Sequence, residues 1–119
     1  MKTVLVVEDT PSEMELISSY LREGGYIVIS ATDAKEAMEK AIHQQPDVVV
    51  TDVVMPGKNG FELCRSLKKN PATEKLPIVI CSSKGQELDR LWGMKQGANF
   101  YLTKPFGREE LVRAVKSVV

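Results

Sequence analysis

The chain has 119 residues, of which 43% are hydrophobic and 27% charged, the size and balance of one globular domain with its own core. Its 16 basic and 16 acidic residues cancel, so charge gives no case for direct nucleic-acid binding or for an anionic membrane as a partner. Cys64 and Cys81 form no CxxC pair, so the cysteines suggest neither a disulfide framework nor a zinc site.

The sequence shows neither a membrane-helix pattern nor a signal-peptide pattern. No apolar run approaches the ~20 residues of a membrane helix, and the N-terminal apolar run meets acidic residues too early for a signal peptide. We therefore expect a cytoplasmic protein without membrane insertion.

Five short apolar runs alternate with five segments of helical periodicity. The runs have strand length and are rich in Val, Ile or aromatic residues; they are Thr3–Val7, Tyr26–Ala31, Asp47–Thr51, Pro77–Cys81 and Asn99–Leu102. The periodic segments place apolar residues on one face, for example Ile17 and Leu21 in the first, Leu63 and Leu67 in the third, Leu91 and Trp92 in the fourth, and Leu111 and Val115 in the fifth. This alternation predicts one α/β domain over residues 1–119, a doubly wound parallel sheet with helices on both faces. We expect Leu91 and Trp92 to pack in its core.

The first helix has a start signal. Thr10-Pro11-Ser12-Glu13 offers a cap residue, a proline at the first helical position and an acid three residues after the cap. Gly24 and Gly25 stand where this helix should end. The pattern predicts a helix that begins at Pro11, with Thr10 and Glu13 serving its cap.

Polar residues follow the predicted strands. Glu8 and Asp9 follow the first, Asp52 the third, Ser82 the fourth and Lys104 the fifth. Ligands of such sheets lie outside the carboxyl ends of the strands, so these side chains would share one rim. Carboxylates that repel one another favour a cation, and oxygen ligands suit Mg²⁺ rather than zinc or copper. A metal and a lysine can neutralise a phosphoryl group that transfers to a carboxylate nucleophile.

Other readings of these residues are simpler. A single Asp at a strand end is usually a helix cap or a loop residue, and a Glu-Asp pair alone is equally uninformative. The occurrence of acids, a hydroxyl and a lysine after four different strands is what favours a functional site. A P-loop is excluded, because Gly57-Lys58 is followed by Asn59 and no glycine stands five residues before Gly57.

Four stretches resemble the receiver domains of two-component response regulators, and stand-alone CheY-like members most closely: VLVVED (4–9), VVVTDVVMPGKNG (48–60), PIVICSS (77–83) and GANFYLTKPF (97–106). The resemblance covers essentially the whole chain. It implies a flavodoxin/CheY-like fold with strand order 2-1-3-4-5 and five helices. It also implies a phosphorylation-controlled switch rather than an enzyme, with self-phosphorylation from a phosphodonor and self-dephosphorylation as its only chemistry.

The resemblance implies roles for the acidic residues. Asp52 would be the phosphoacceptor. Asp9 and Asp52 would bind Mg²⁺ directly, the backbone carbonyl of Val54 would be the remaining protein ligand, and Glu8 would act through water. Val54 also occupies a position that tunes attack of water on the acyl phosphate in this family, and it cannot orient a water by hydrogen bonding. We therefore expect slow self-dephosphorylation.

Three further residues would form the switch. Lys104 would contact the phosphoryl group and pair with Asp52, Ser82 would be the switch hydroxyl, and Tyr101 would be the switch aromatic. The family also implies a cis peptide bond between Lys104 and Pro105.

The resemblance implies partners as well. A histidine kinase would supply the phosphoryl group. The output face would comprise the fourth helix, fifth strand and fifth helix and bind a protein through Arg90, Met94, Tyr101 and Phe106, with the chain a monomer or weak dimer. The stretch WGMKQGA (92–98) resembles receivers of pilus-dependent twitching and phototaxis systems, which favours motility-type signalling.

Three alternatives stay open. A haloacid-dehalogenase-type phosphatase also uses an Asp after a parallel strand, but it places a second acid where this chain has Val54. A phosphate-independent adaptor would usually have lost part of the set Asp9, Asp52, Ser82 and Lys104. A receiver fragment of a longer DNA-binding response regulator would have the same sequence features.

Overall fold

The computed structural model describes residues 1–119, and its centre is a parallel sheet of five strands. The strands are β1 (Thr3–Val7), β2 (Ile27–Ala31), β3 (Val48–Asp52), β4 (Ile78–Ser82) and β5 (Phe100–Thr103). The helices are α1 (Pro11–Glu23), α2 (Ala34–Gln44), α3 (Gly60–Lys69), α4 (Glu87–Lys95) and α5 (Arg108–Val118). The strand order is β2-β1-β3-β4-β5 and every pair is parallel. The predicted fold class and order are confirmed.

The last three strands extend further toward the rim than their apolar runs. The ladder continues through the polar residues, since Asp52 pairs with Cys81 and Ser82 pairs with Thr103. The backbone of these site residues therefore belongs to the sheet, where ladder hydrogen bonds fix it.

Both faces of the sheet are covered, and the strands contribute alternate residues to each core. Val4 and Val6 of β1 pack with residues of α1 and α5, among them Leu21 and Leu111. Leu5 and Val7 pack on the opposite face with residues of α2 and α3. Near-continuous apolar strands are what burial on both faces requires. None of the helices combines the length and hydrophobicity needed to cross a bilayer.

The prediction for α4 was wrong. Leu91 is 58% exposed and Trp92 is 46% exposed, so neither packs in the core. The helix faces the sheet with Gly93 instead. A Cβ atom at residue 93 would lie 2.9 Å from Cδ2 of Tyr101 and 3.3 Å from Cδ1 of Ile80, so the missing side chain lets the helix backbone approach the strands. That orientation turns the leucines outward.

The prediction for the start of α1 was half right. The helix begins at Pro11 and ends at Glu23, before the predicted glycines, but the side chain of Thr10 makes no capping hydrogen bond. A reciprocal capping box forms at α3 instead, where Asn59 and Glu62 each accept a hydrogen bond of 2.9 Å from the other's backbone N–H. The carboxylate of Glu13 is used elsewhere, in the site described next.

Candidate functional site

Asp52 ends β3 with its side chain almost enclosed, 12% exposed. Its Oδ1 atom accepts a hydrogen bond of 2.7 Å from the N–H of Val53, and its Oδ2 atom lies 3.5 Å from Nζ of Lys104. The hydroxyl of Thr51 donates to the Asp52 carbonyl at 2.9 Å. The carboxylate is therefore held in one orientation, with one oxygen turned to the ammonium.

Gly60 brings α3 close to this strand end. Its N–H donates to the Val53 carbonyl at 2.8 Å. A Cβ atom at residue 60 would lie only 2.1 Å from the carbonyl oxygen of Asp52. The first residue of α3 therefore has to be glycine for the helix to start this close to the phosphoacceptor candidate.

Lys104 is the cationic centre of the rim. Its Nζ atom lies 2.8 Å from Oε1 of Glu13, 3.1 Å from Oε1 of Glu8 and 3.5 Å from Oδ2 of Asp52. Burial lowers the pKa of Lys104, but the hydrogen bonds to Glu13 and Glu8 and the charge of Asp52 outweigh it, so the net pKa is raised. The ammonium therefore stays charged. The peptide bond to Pro105 is cis, as the resemblance led us to expect.

Glu8 is the most buried acid of the site, with no exposed side-chain surface. Burial raises its pKa, while the N–H of Thr10, which donates to Oε2 at 3.2 Å, and the nearby Lys104 lower it. A buried carboxylate needs such partners.

Glu13 was missed at this site by the sequence prediction. One carboxylate oxygen from each of Glu8, Glu13 and Asp52 lies within 4.8 Å of the others. The sequence offered one usable signal, namely that Glu13 stands in the first turn of the helix that follows the acidic strand end. The capping pattern gave that acid a simpler role.

Two other predicted metal ligands, Asp9 and the Val54 carbonyl, are not members of this carboxylate group. Asp9 is exposed and its carboxylate is not one of the three. Val54 is 59% exposed, in the loop that leads to α3, and no backbone N–H donates to its carbonyl. Together the acids give a donor set of oxygen atoms only, which fits Mg²⁺.

The predicted switch residues Ser82 and Tyr101 lie on the adjacent strands β4 and β5. Ser82 is buried, and its Oγ atom accepts a hydrogen bond of 3.1 Å from the N–H of Lys84. Tyr101 is buried too, and burial raises the pKa of its phenol. The Arg90 guanidinium lies 5.8 Å from the centre of the Tyr101 ring and donates to Thr103 Oγ1 at 2.8 Å.

The remaining residues of the predicted output face are accessible. Arg90 is exposed, Met94 is 46% exposed and Phe106 is half-buried. They lie on α4 and in the loop before α5, around the β5 strand that carries Tyr101.

Fold and site together define a doubly wound α/β domain with an acidic pocket at the carboxyl end of its parallel sheet. The family description that matches residues 4–116 is "Response regulator receiver domain", and the chain belongs to that family. It is 40% identical to Protein PilH of Pseudomonas aeruginosa over 119 residues, which are 100% of this chain and 98% of that protein. The resemblance read from the sequence is confirmed.

Two solved structures are close in shape. The chemotaxis response regulator CheY4 of Vibrio cholerae has a TM-score of 0.93 at 32% identity, covering 100% of this chain and 99% of that one. The receiver domain of a sensor histidine kinase from Pseudomonas aeruginosa PAO1 has a TM-score of 0.91 at 30% identity, covering 98% and 96%. That second structure has a magnesium ion coordinated in its active-site cleft.

Proposed function

We propose that Asp52 accepts a phosphoryl group from a histidine kinase and that this modification changes the surface formed by α4, β5 and α5. The observation that carries the proposal is the fixed carboxylate of Asp52 at the end of β3, 3.5 Å from the Lys104 ammonium and beside buried Glu8. The likeness to PilH and to the chemotaxis response regulator CheY4 supports a role in motility-type signalling. The cytoplasmic location expected from the sequence is part of the proposal.

The transfer uses Asp52 as nucleophile. Its Oδ2 atom forms the new O–P bond while the N–P bond of the phosphohistidine breaks, and the electron pair leaves with the imidazole nitrogen. Lys104 offsets negative charge on the transferring oxygens. Asp9, Asp52 and the Val54 carbonyl would hold Mg²⁺ directly and Glu8 through water, and the bound ion would supply further charge neutralisation.

The readout uses Ser82 and Tyr101. The Ser82 hydroxyl lies at the end of the strand next to Asp52 and turns to the phosphoryl oxygen, after which the Tyr101 ring changes position. Such a modification shifts a two-state equilibrium. The partner is a protein that binds around Arg90, Met94 and Phe106, and the chain acts as a monomer or weak dimer.

The class is tested by incubating the protein with acetyl phosphate and Mg²⁺ and measuring its intact mass. We expect one added phosphoryl group on the wild type and none on Asp52→Asn. Asp33→Asn is the matched control, because Asn can keep the helix cap that Asp33 makes with the N–H of Glu36. Persistent labelling of Asp52→Asn would contradict the proposal, and multiple turnover of an aryl phosphate would indicate a hydrolase.

A second experiment tests how long the signal lasts. Val54 cannot orient an attacking water, so we expect the acyl phosphate to decay slowly. Val54→Asn supplies a hydrogen-bonding side chain at an exposed position and should speed the decay, measured by loss of the mass adduct with time. An unchanged decay rate would refute this role of Val54.

A further inference from the structure

The ammonium of Lys104 is shared unequally among its three carboxylates. The contacts to Glu13 and Glu8, at 2.8 and 3.1 Å, have hydrogen-bond length, whereas Asp52 is at 3.5 Å. We propose that Glu13 is a positioning residue that holds Lys104 in the unphosphorylated protein and releases it when Asp52 is phosphorylated. The inference deepens the proposed function and rests on it.

The donors of Lys104 set the constraint. An ammonium has three N–H donors, and two of them already serve Glu13 and Glu8. The third donor remains for Asp52, which at 3.5 Å receives charge attraction without a short hydrogen bond. A phosphoryl group on Asp52 carries more negative charge than the carboxylate and draws the ammonium toward it, so we expect one of the two short contacts to lengthen.

Burial decides which contact gives way. The Glu8 side chain has no exposed surface, and separating it from Lys104 would leave a buried charge without its cation, which is costly. The Glu13 side chain is 40% exposed, so water can replace the ammonium there. Glu13 also lies in the first turn of α1, where the helix dipole favours a negative charge.

Two effects of Glu13 then act in the same direction. Its carboxylate competes with the phosphoryl oxygens for Lys104, and its negative charge repels them. Glu13 thus sets how strongly the pocket favours the unphosphorylated state. Removing that charge while keeping the shape, in Glu13→Gln, should make the pocket bind a phosphoryl-like anion more tightly.

The test is a calorimetric titration of the whole chain with beryllofluoride, which mimics a phosphoryl group on a carboxylate, at saturating Mg²⁺. We expect Glu13→Gln to bind it about two- to fivefold more tightly than the wild type, the range for a partly exposed ion pair. Glu15→Gln removes the same charge from the same helix at an exposed position and should bind like the wild type.

A direct readout of Lys104 separates this role from general stabilisation of the fold. The nitrogen NMR signal of the Lys104 ammonium should differ between wild type and Glu13→Gln without the analogue and should coincide in the two bound forms. If Glu13 instead kept its contact with Lys104 in the bound form, the signals of the two bound proteins would still differ.

Three further outcomes would overturn the inference. Equal affinities of wild type and Glu13→Gln would show that Glu13 does not compete for Lys104. A tenfold or larger loss of Mg²⁺ affinity in Glu13→Gln would make Glu13 a metal ligand instead. If the wild type binds no beryllofluoride and takes no phosphoryl group from acetyl phosphate, the proposed function itself fails and this inference with it.

Discussion

The phenol of Tyr101 donates a hydrogen bond to the backbone carbonyl of Lys84, two residues beyond Ser82. The Tyr101 ring also lies against Gly93 of α4 and near the guanidinium of Arg90. One buried side chain thereby joins β5, the loop after β4 and the helix that follows. A change in its position would alter all three together.

Tyr101→Phe should loosen that junction. The variant keeps the ring and loses the hydrogen bond to Lys84, so we expect the free energy of unfolding to fall by about 1 kcal/mol. Urea denaturation measures the change, and faster amide exchange in the loop from Ser82 to α4 would locate it. Tyr20→Phe is the control, because the Tyr20 hydroxyl makes no hydrogen bond in the structure. Equal stability of both variants would show that the bond contributes nothing.

Gly60→Ala should be severely destabilising. The new Cβ would lie 2.1 Å from the carbonyl oxygen of Asp52, so either α3 or the end of β3 has to move. We expect a loss of at least ~2 kcal/mol in urea denaturation and slower labelling by acetyl phosphate. Gly107→Ala meets only Glu110 Oε1, at 3.9 Å, and should cost far less. Similar losses at both positions would contradict the steric argument.

Lys104→Met should destabilise the folded protein by leaving the buried carboxylate of Glu8 without a partner. Glu8 would lose its cation, and we expect about 3 kcal/mol of destabilisation without Mg²⁺. The pKa of Glu8, which burial already raises, would rise further without Lys104. The stability of this variant should therefore be greatest below the pKa of Glu in the unfolded chain and fall as pH rises through the pKa of Glu8 in the folded protein. Adding Glu8→Gln should recover much of the loss. A pH-independent deficit would rule out this explanation.

The two cysteines should be unreactive in the folded protein. Burial raises the pKa of Cys81 to about 12 and that of Cys64 to about 11, and the thiolate is the reactive form. Iodoacetamide at about pH 8 should therefore label either thiol only when the chain unfolds.

These thiols also predict a pH dependence. Because both pKa values are raised on folding, their contribution to stability is complete below the unfolded value of about 8.5 and is lost as pH rises toward the folded values. A Cys64→Ala/Cys81→Ala variant should lack this part of the alkaline slope in urea denaturation. Identical slopes for the two proteins would disprove the assignment.

Mg²⁺ should raise the melting temperature, because a ligand that binds only the folded state stabilises it by mass action. Asp9→Asn should lose most of this shift if Asp9 is a direct ligand. Glu13→Gln should keep it, and Asp33→Asn, which changes an acid outside the site, should match the wild type. A full shift in Asp9→Asn would remove Asp9 from the ligand set.

The group of polar side chains at the rim could be predicted from the sequence because it depends only on local strand patterns and on the parallel topology of the sheet. Apolar runs of strand length mark the sheet, and parallel strands bring their carboxyl ends to one edge. Asp52 and Lys104 are 52 positions apart in the chain, yet the sequence pattern could predict that they lie close together. In the structure, Oδ2 of Asp52 lies 3.5 Å from Nζ of Lys104. The family resemblance added their chemical roles, which spacing alone does not contain.

The orientation of helix α4 and of the Glu13 side chain could not be predicted from the sequence. The leucines of α4 have the period of a buried face, but packing of Gly93 against Tyr101 turns the helix so that they face outward. Glu13 has the position of a capping acid, but a lysine from the far end of the chain attracts its carboxylate across the pocket. Periodicity and caps report what a segment can do by itself. Which of those options it adopts depends on contacts with distant residues, and those exist only once the chain has folded.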